Sequence, residues 1–475
     1  MPTARQVYMA LCDGPPDKAA QGLASQYLDQ QLQAVRGLAM ELPAAPENLR
    51  DWLAGQAAVV GVTYQGYLRA RGQGAARRYF RSMSQALYFL RNVAPTKLVD
   101  GAWLYGTLAH WQVPGLRPLI DTYLEELGTG VPGKNHVLLY KKLLASHDCE
   151  DWTDLPDDRY VQGALQLALA YDARHYLPEL AGYNLGYEQL PLHLLITAFE
   201  LNELGIDPYY FTLHVTIDNI SSGHAAKAVR AVRYLLAHCG AERGAVLRRV
   251  RDGYLLNELG ASTTSVIAGF DLKAELTRVL AQKYVVGKNM HSDYCRIAGR
   301  SINAWLADPS QVPALLAALQ ASGWVKRGLA AEESSFWRLI RSERADMFGV
   351  FSAYEQQVLR DWIATPVGAA APVEGAHRPS HRTRQRAFDT LAGPHGPVAG
   401  KQGARGVTRH HPDQFRMHQQ AMGDDASELR KLERQVAAAD SKPAAMRLLL
   451  PLLGPALHHS APGLMATRIF SRLLA

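Results

Sequence analysis

The sequence predicts an all-α protein, and three observations lead to that prediction. Apolar residues recur every three or four positions in one segment after another, as Leu23, Tyr27, Leu28, Leu32 and Val35 do near the N-terminus, and this spacing is typical of one face of a helix. No stretch alternates apolar and polar residues in a way that fits a strand better than a helix. The chain has 475 residues and is 48% hydrophobic, which is enough to bury a sizeable core.

The predicted helices fall into five consecutive regions. Residues 1–45 are expected to form N-terminal helices that pack on the core, residues 46–290 the helical core itself, and residues 291–363 a helical extension. Residues 364–424 are rich in Gly, Pro, Arg and His and carry most of the net charge of +7, so they are expected to be a disordered basic linker. Residues 425–475 return to helix, and the sequence leaves open whether they bind a partner or a membrane surface, or pack back on the core.

The core carries chemically informative residues from Asp100 onwards. Asp100 lies among apolar residues in a helix expected over 95–112, and a buried carboxylate needs a partner, which is an arginine, a helix end or a metal ion. The helix expected over 115–127 contains Glu126 and ends at Gly128, a typical C-terminal stop. A Gly/Pro-containing loop follows, and it can fold His136 back beside Glu126.

A further carboxylate, Glu188, is placed at the start of a helix expected from about 188 to 203, where the helix dipole favours negative charge. The next helix is expected over 207–238, because Asp207 precedes Pro208 as an N-cap acceptor precedes proline at the first helical position.

Three potential ligands lie on that helix, namely His214, Asp218 and His224. His214 and Asp218 are four residues apart and share a face, but on a regular helix His224 lies about 80° from His214 and about 120° from Asp218. Weak helix formers separate Asp218 from His224. We therefore expect an irregular backbone over 218–224 that turns His224 toward the other two side chains. The alternative is a local His214–Asp218 hydrogen-bonded pair.

Composition limits the remaining possibilities. The four cysteines are widely spaced and form no CxxC motif, which argues against a disulfide framework or a thiolate metal site and fits a reducing cytoplasm. No signal peptide or membrane span is expected. Because the positive charge is concentrated in the linker, nucleic-acid binding is not inferred. We expect the linker to be dispensable for chemistry, so that truncation after Thr365 leaves metal binding intact.

The potential ligands lie on four or five successive helices, and carboxylates and imidazoles supplied by several helices are a common way to hold two irons. A mixed nitrogen and oxygen set without cysteine suits iron or manganese better than structural zinc. No P-loop, dinucleotide fingerprint, nucleophile elbow or Cys/His nucleophile pair competes with this interpretation.

In their order, these motifs resemble a known family. The chain resembles the haem-oxygenase-like diiron oxidases and oxygenases, also described as iron-containing redox enzymes. The motifs that carry the resemblance are, in order, Glu126-Leu-Gly-x-Gly, His136, a Pro-Glu-x-x-Gly-x-Asn segment ending in Glu188, and His214-x-x-x-Asp218. The resemblance covers roughly 95–363. It implies a haem-oxygenase-like helical bundle, here with extra N- and C-terminal helices and a disordered basic linker.

The resemblance also implies a ligand set and an activity. The metal ligands it implies are Glu126, His136, Glu188, His214 and Asp218. The family has a further histidine three residues after the aspartate, where this chain has Ser221, so His224 is expected to take that role. Asp100 matches the place of an extra carboxylate in some members of the family. The cofactors would be two iron ions (Fe(II)/Fe(III)), with O2 as co-substrate.

The expected function is that of an iron-dependent oxidoreductase using O2. It would act on a small amino-acid-, amine- or fatty-acid-derived metabolite, by desaturation, N-oxygenation, hydroxylation or oxidative C–C cleavage, in specialised metabolism. An electron donor and a homodimer are compatible with this activity. The alternatives are a metal-free haem-oxygenase-like enzyme, either a thiaminase-like hydrolase or a cofactor-independent oxidase, and a non-enzymatic helical scaffold.

Overall fold

The structure, a computed structural model, describes residues 1–39, 41–217, 223–287, 290–341, 344, 346–366 and 427–475. Over these residues the fold is all-α and haem-oxygenase-like, as the sequence predicts; the one β-element is a minimal hairpin that pairs Arg296–Ile297 with Arg300–Ser301. None of the helices described is both long and apolar enough to span a membrane. The predicted linker, apart from its first residues, lies outside the described part of the chain.

The helices have the following bounds. The first half contains α1 Ala4–Leu11, α2 Lys18–Val35, α3 Leu49–Gly72, α4 Met83–Asn92, α5 Ala94–Lys97, α6 Arg117–Glu126, α7 His136–Ala145, α8 Val161–Tyr171, α9 Leu177–Tyr187, α10 Leu192–Glu203 and α11 Tyr209–Ile217. The second half contains α12 His224–His238, α13 Arg243–Leu255, α14 Thr263–Ala268, α15 Leu272–Gly287, α16 Ile302–Trp305, α17 Val312–Ala321, α18 Ser335–Arg341, α19 Ala353–Ala364, α20 427–437, α21 Lys442–Leu449 and α22 Ala461–Leu474. A longer 3-10 helix spans Ala102–His110.

The two largest of three apolar clusters among the described residues form most of the interior. One joins α1, α2, α6, α8 and the 3-10 helix with the C-terminal helices. The other joins α4, α7, α10, α11, α15, α17 and α19. Tyr187 packs on the first cluster and Tyr210 belongs to the second, yet both hydroxyls donate hydrogen bonds to Asp100. Asp100 therefore lies where the two clusters meet.

The expected helix from 188 to 203 is wrong at its start. Residues Leu177–Tyr187 form α9, Glu188 is its C-terminal cap, and the following helix begins only at Leu192. Glycine within α9 allows close packing against a neighbouring helix. A Cβ on Gly182 would lie 1.8 Å from the carbonyl oxygen of Val250 in α13, so only glycine allows the two backbones to approach this closely.

The single helix expected over 95–112 is also interrupted. The chain forms the short α5, turns through Asp100 and Gly101, and continues as a 3-10 helix. Gly101 has φ +79°, a backbone conformation that L-residues rarely adopt, and it breaks the helix directly after the aspartate.

The C-terminal region packs back on the core, which answers a question that the sequence leaves open. Met446, Leu449, Leu453 and Phe470 are fully buried in the first apolar cluster. Truncation after Thr365 would therefore remove core side chains as well as the linker, so our expectation that this truncated chain keeps its metal site no longer has a physical basis.

Candidate metal centre

Glu126 and His136 are brought together by a tight connection between α6 and α7. Glu126 is the last residue of α6 and His136 the first of α7. Gly128 has φ +64°, and a Cβ there would lie 2.4 Å from the carbonyl carbon of Lys134. The chain therefore folds closely back on itself, and His136 Nδ1 comes into direct contact with Glu126 Oε2, as expected from the sequence.

Asp100 reaches the same place because Gly101 packs against Glu126. A Cβ on Gly101 would lie 2.8 Å from Glu126 Cβ, so a side chain there would push the glutamate away. Burial alone would raise the pKa of Asp100, but the positive charge of Lys97 and the two nearby imidazoles outweigh burial and hold this pKa well below its usual range. Asp100 is therefore an ionised carboxylate in the interior.

His214 presents its Nε2 atom to Asp100. The Nδ1–H group of His214 donates to the carbonyl oxygen of Tyr210, 2.8 Å away, and Nε2 lies 2.9 Å from Asp100 Oδ2. A hydrogen bond from one ring nitrogen to a backbone carbonyl fixes the tautomer and leaves the other nitrogen for a metal ion. The His136 and His214 rings lie 4.4 Å apart, centroid to centroid.

His224 reaches the centre because a new helix begins there. Gly223 has an extended backbone, and His224 is the first residue of α12 and fully buried. Its Nδ1 lies 2.9 Å from Glu188 Oε2 and 3.3 Å from Glu126 Oε1. The helix is thus interrupted at Gly223, as the ligand geometry predicts, while Asp218 and the rest of 218–222 lie outside the described residues.

Glu125 belongs to the same site and is missed by the sequence analysis. Its Oε2 lies 2.9 Å from Nε2 of His224, and its Oε1 contacts the Lys227 ammonium. A carboxylate on the ring nitrogen opposite the metal orients a histidine ligand and raises its basicity. Its place next to Glu126 gives no sequence signal, because adjacent helical residues point in different directions.

The donor atoms form two groups that share one residue. Within each group the donor atoms lie within 4.8 Å of one another. The first group is Asp100, Glu126, His136 and His214, and the second is Glu126, Glu188 and His224. All six residues are buried. Glu126 is common to both groups and would be a ligand of both ions if each group held one.

Three buried polar atoms support a metal rather than a hydrogen-bonded network. Glu188 Oε1 is buried without a hydrogen-bond partner, and Glu126 Oε2 and His136 Nδ1 contact each other as a charged pair but make no other polar contact of hydrogen-bond geometry. Buried polar atoms are rarely left in this condition. A divalent ion bound by oxygen and imidazole nitrogen would satisfy all three, and a thiolate-free donor set of this kind suits iron.

His136 is cationic in the protein without bound metal. Burial alone would lower its pKa, but the charges of Glu126 and Asp100 outweigh burial and raise the pKa from 6.5 to about 10. This charge stabilises the metal-free fold fully below pH 6.5, and the contribution is lost as the pH rises through about 10.

A metal ion must displace this proton, because only the neutral ring binds metals. Metal affinity is therefore expected to increase between pH 6.5 and 9 by up to about tenfold per pH unit for this proton. Competition titrations with a chelator at several pH values, and calorimetry in buffers of different ionisation enthalpy, measure the effect. Metal binding without proton release at pH 7.5 would contradict a role for His136 as ligand.

Residues 87–258 match the family model described as iron-containing redox enzyme. Over this segment the chain is similar to the iron-containing redox enzymes. Both donor groups lie within the matched segment, and the match supports an oxidoreductase in general. No curated protein and no solved structure matches the chain.

Proposed function

We propose that the protein is an O2-dependent non-haem diiron oxidase or oxygenase. The observation that carries the proposal is the pair of buried donor groups sharing Glu126 inside the family segment. One carboxylate common to two groups of oxygen and nitrogen donors, contributed by several helices, is how helical bundles hold two irons.

Each iron has a distinct proposed set of ligands. Asp100, Glu126, His136 and His214 hold the first ion, and Glu126, Glu188 and His224 the second. Asp218, implied by the resemblance, stays a proposed additional ligand. When bound, two Fe(II) ions would donate electrons to O2 and so activate it for oxidation of the substrate.

The protein contributes orientation and the exclusion of water. Tyr210 and Tyr187 donate hydrogen bonds to Asp100 at 2.5 and 3.0 Å, which fix the carboxylate and occupy its remaining lone pairs. Glu125 orients the His224 ring through the contact of its Oε2 atom with Nε2. Because the donor residues are buried, their electrostatic interactions are stronger than in water.

For the substrate we propose a small amino-acid-, amine- or fatty-acid-derived metabolite. The proposed reactions are desaturation, N-oxygenation, hydroxylation or oxidative C–C cleavage. This part rests on the family resemblance, because a helical bundle does not by itself determine the substrate.

The metal-free hydrolase alternative gains no support from Cys149, the one buried cysteine of the four. A hydrolase of that type needs an activated nucleophile such as a cysteine thiolate. Burial raises the pKa of Cys149 to about 12, so this thiol is protonated at neutral pH and lies in a position unsuited to nucleophilic attack.

Anaerobic Fe(II) titration followed by exposure to O2 tests the proposal. The expected result is two Fe(II) bound per chain and an O2-dependent absorbance that is absent without iron. The matched control is Glu200→Gln, since Glu200 is also a buried glutamate but accepts hydrogen bonds from Tyr67 and the backbone of residues 78–80. A wild-type protein that binds no stoichiometric iron would contradict the proposal and favour a scaffold or metal-free enzyme.

A further inference from the structure

The C-terminal segment, residues 427–475, lies against the connection between α6 and α7, residues 127–135. This segment is outside the family match. Tyr123 in α6 donates a hydrogen bond to the carbonyl oxygen of Leu453, 2.5 Å away. A Cβ on Gly130 would lie 2.4 Å from the carbonyl oxygen of Leu464. The C-terminal segment therefore contacts the loop that joins Glu126 to His136.

His458 connects the C-terminal segment to Asn135, the residue that precedes His136. Its side chain is 2% exposed, and its Nδ1 lies 3.1 Å from Nδ2 of Asn135, which is fully buried. Asn135 is the N-cap of α7, with its Oδ1 accepting the backbone N–H of Leu138 at 3.0 Å. Its Nδ2 also donates to the carbonyl oxygen of Leu127 at 3.3 Å.

Asn135 thus links three parts of the site. Through Leu127 it holds the end of α6, which carries Glu126; through Leu138 it holds the start of α7, which carries His136. An amide group has two N–H donors, and His458 and Leu127 accept one each. Without His458, one buried N–H group would lose its acceptor, which a buried polar group tolerates poorly.

We propose that His458 is a positioning residue of the metal centre, acting through Asn135 to hold Glu126 and His136 at binding distance. The C-terminal segment is therefore part of the metal site and not an appendage of the family fold. The proposal rests on the metal site of the proposed function but not on its reaction with O2.

The acceptor role requires a neutral imidazole, and the surroundings of His458 favour one. Burial lowers the pKa of His458 well below its ordinary value, and the positive charge of nearby Lys141 acts in the same direction. With Nδ1 unprotonated, the ring accepts the hydrogen bond from Asn135.

Co(II) titration of the full chain tests the proposal, since Co(II) reports on ligand geometry through its visible absorption spectrum. His458→Leu is expected to weaken binding at the first site, Asp100, Glu126, His136 and His214, by about 10- to 100-fold, as is usual when a group that orients ligands is removed. It should also change the Co(II) spectrum. His458→Gln can still accept a hydrogen bond from Asn135 and is expected to restore most of the affinity and the wild-type spectrum.

Met446→Ala is the matched control, because Met446 is fully buried in the same C-terminal segment. It opens a cavity and should lower the melting temperature while leaving the Co(II) affinity and spectrum unchanged. If Met446→Ala also lowered the Co(II) affinity, the proposal would be overturned, because a general loss of stability would then explain the effect of His458→Leu.

Two further outcomes would overturn the role of His458, and a third would overturn only the proposed reaction with O2. Wild-type Co(II) affinity in His458→Leu would overturn the proposal. If His458→Leu and the more flexible His458→Met both fail to fold, the role is structural and the proposal is also overturned. A wild-type protein that binds two metal ions but does not consume O2 would refute the proposed reaction and still allow His458 to be tested.

Discussion

Glu126→Ala is expected to remove both metal ions, whereas Glu188→Ala is expected to remove only one. Glu126 belongs to both donor groups, while Glu188 belongs only to the second. Losing a shared carboxylate leaves each ion one ligand short and removes the charge between them. Iron content after anaerobic reconstitution should fall from two per chain to near zero in Glu126→Ala, and to about one in Glu188→Ala.

Activity should disappear in Glu126→Ala, and likewise in His136→Ala and His214→Ala, while circular dichroism shows an unchanged helical content. None of the three residues belongs to the apolar clusters that hold the helices together, so each variant should keep its helices. Equal iron content in Glu126→Ala and Glu188→Ala would argue against a bridging role for Glu126. Wild-type turnover in any of the three would place the active site elsewhere.

Gly182→Ala is expected to destabilise the protein by about 1–3 kcal/mol or more, because overpacking of a core costs about this much. Gly182 in α9 touches the backbone of α13, where a Cβ would lie 1.8 Å from the Val250 carbonyl oxygen. The substitution must push the two helices apart. Glu188 caps the end of α9, so the second metal ion should also bind more weakly.

Gly22→Ala provides the matched control. Gly22 also lies inside a helix, α2, but a Cβ there meets no atom within 4 Å. Alanine is the better helix former, so this change should stabilise the protein by about 0.5–1 kcal/mol. Thermal unfolding should therefore show shifts of opposite sign for the two variants. A stabilising effect of Gly182→Ala would mean that α9 and α13 do not pack as closely as described.

Gly182 and Gly186 in α9 show why the bounds of this helix differ from those expected from the sequence. From the sequence, the segment that contains Gly182 and Gly186 is expected to lead into a helix that begins at about 188. In the structure both glycines lie inside α9 and make room for a close neighbour: Gly182 lies against the backbone of Val250, and a Cβ on Gly186 would lie 2.3 Å from the side-chain amide nitrogen of Asn257. Propensity disfavours glycine inside a helix, but close packing with another helix outweighs it.

The sequence by itself determined the fold class and most of the residues of the candidate centre. Helical periodicity and turn residues are local signals, and they predict an all-α chain and a fold-back between Glu126 and His136. Side-chain chemistry is local too, which is why Glu188 and His214 are recognisable as potential ligands. The spacing of His214 and His224 also predicts an interruption of the helix, and Gly223 provides it.

Only the tertiary structure decided how these residues divide into two groups. Asp100 joins Glu126 because Gly101 packs against that side chain, Glu125 joins His224 across two helices, and His458 approaches Asn135 from a position 323 residues further along the chain. Distances of this kind depend on how helices pack, and packing arises from the whole set of buried contacts rather than from any one segment.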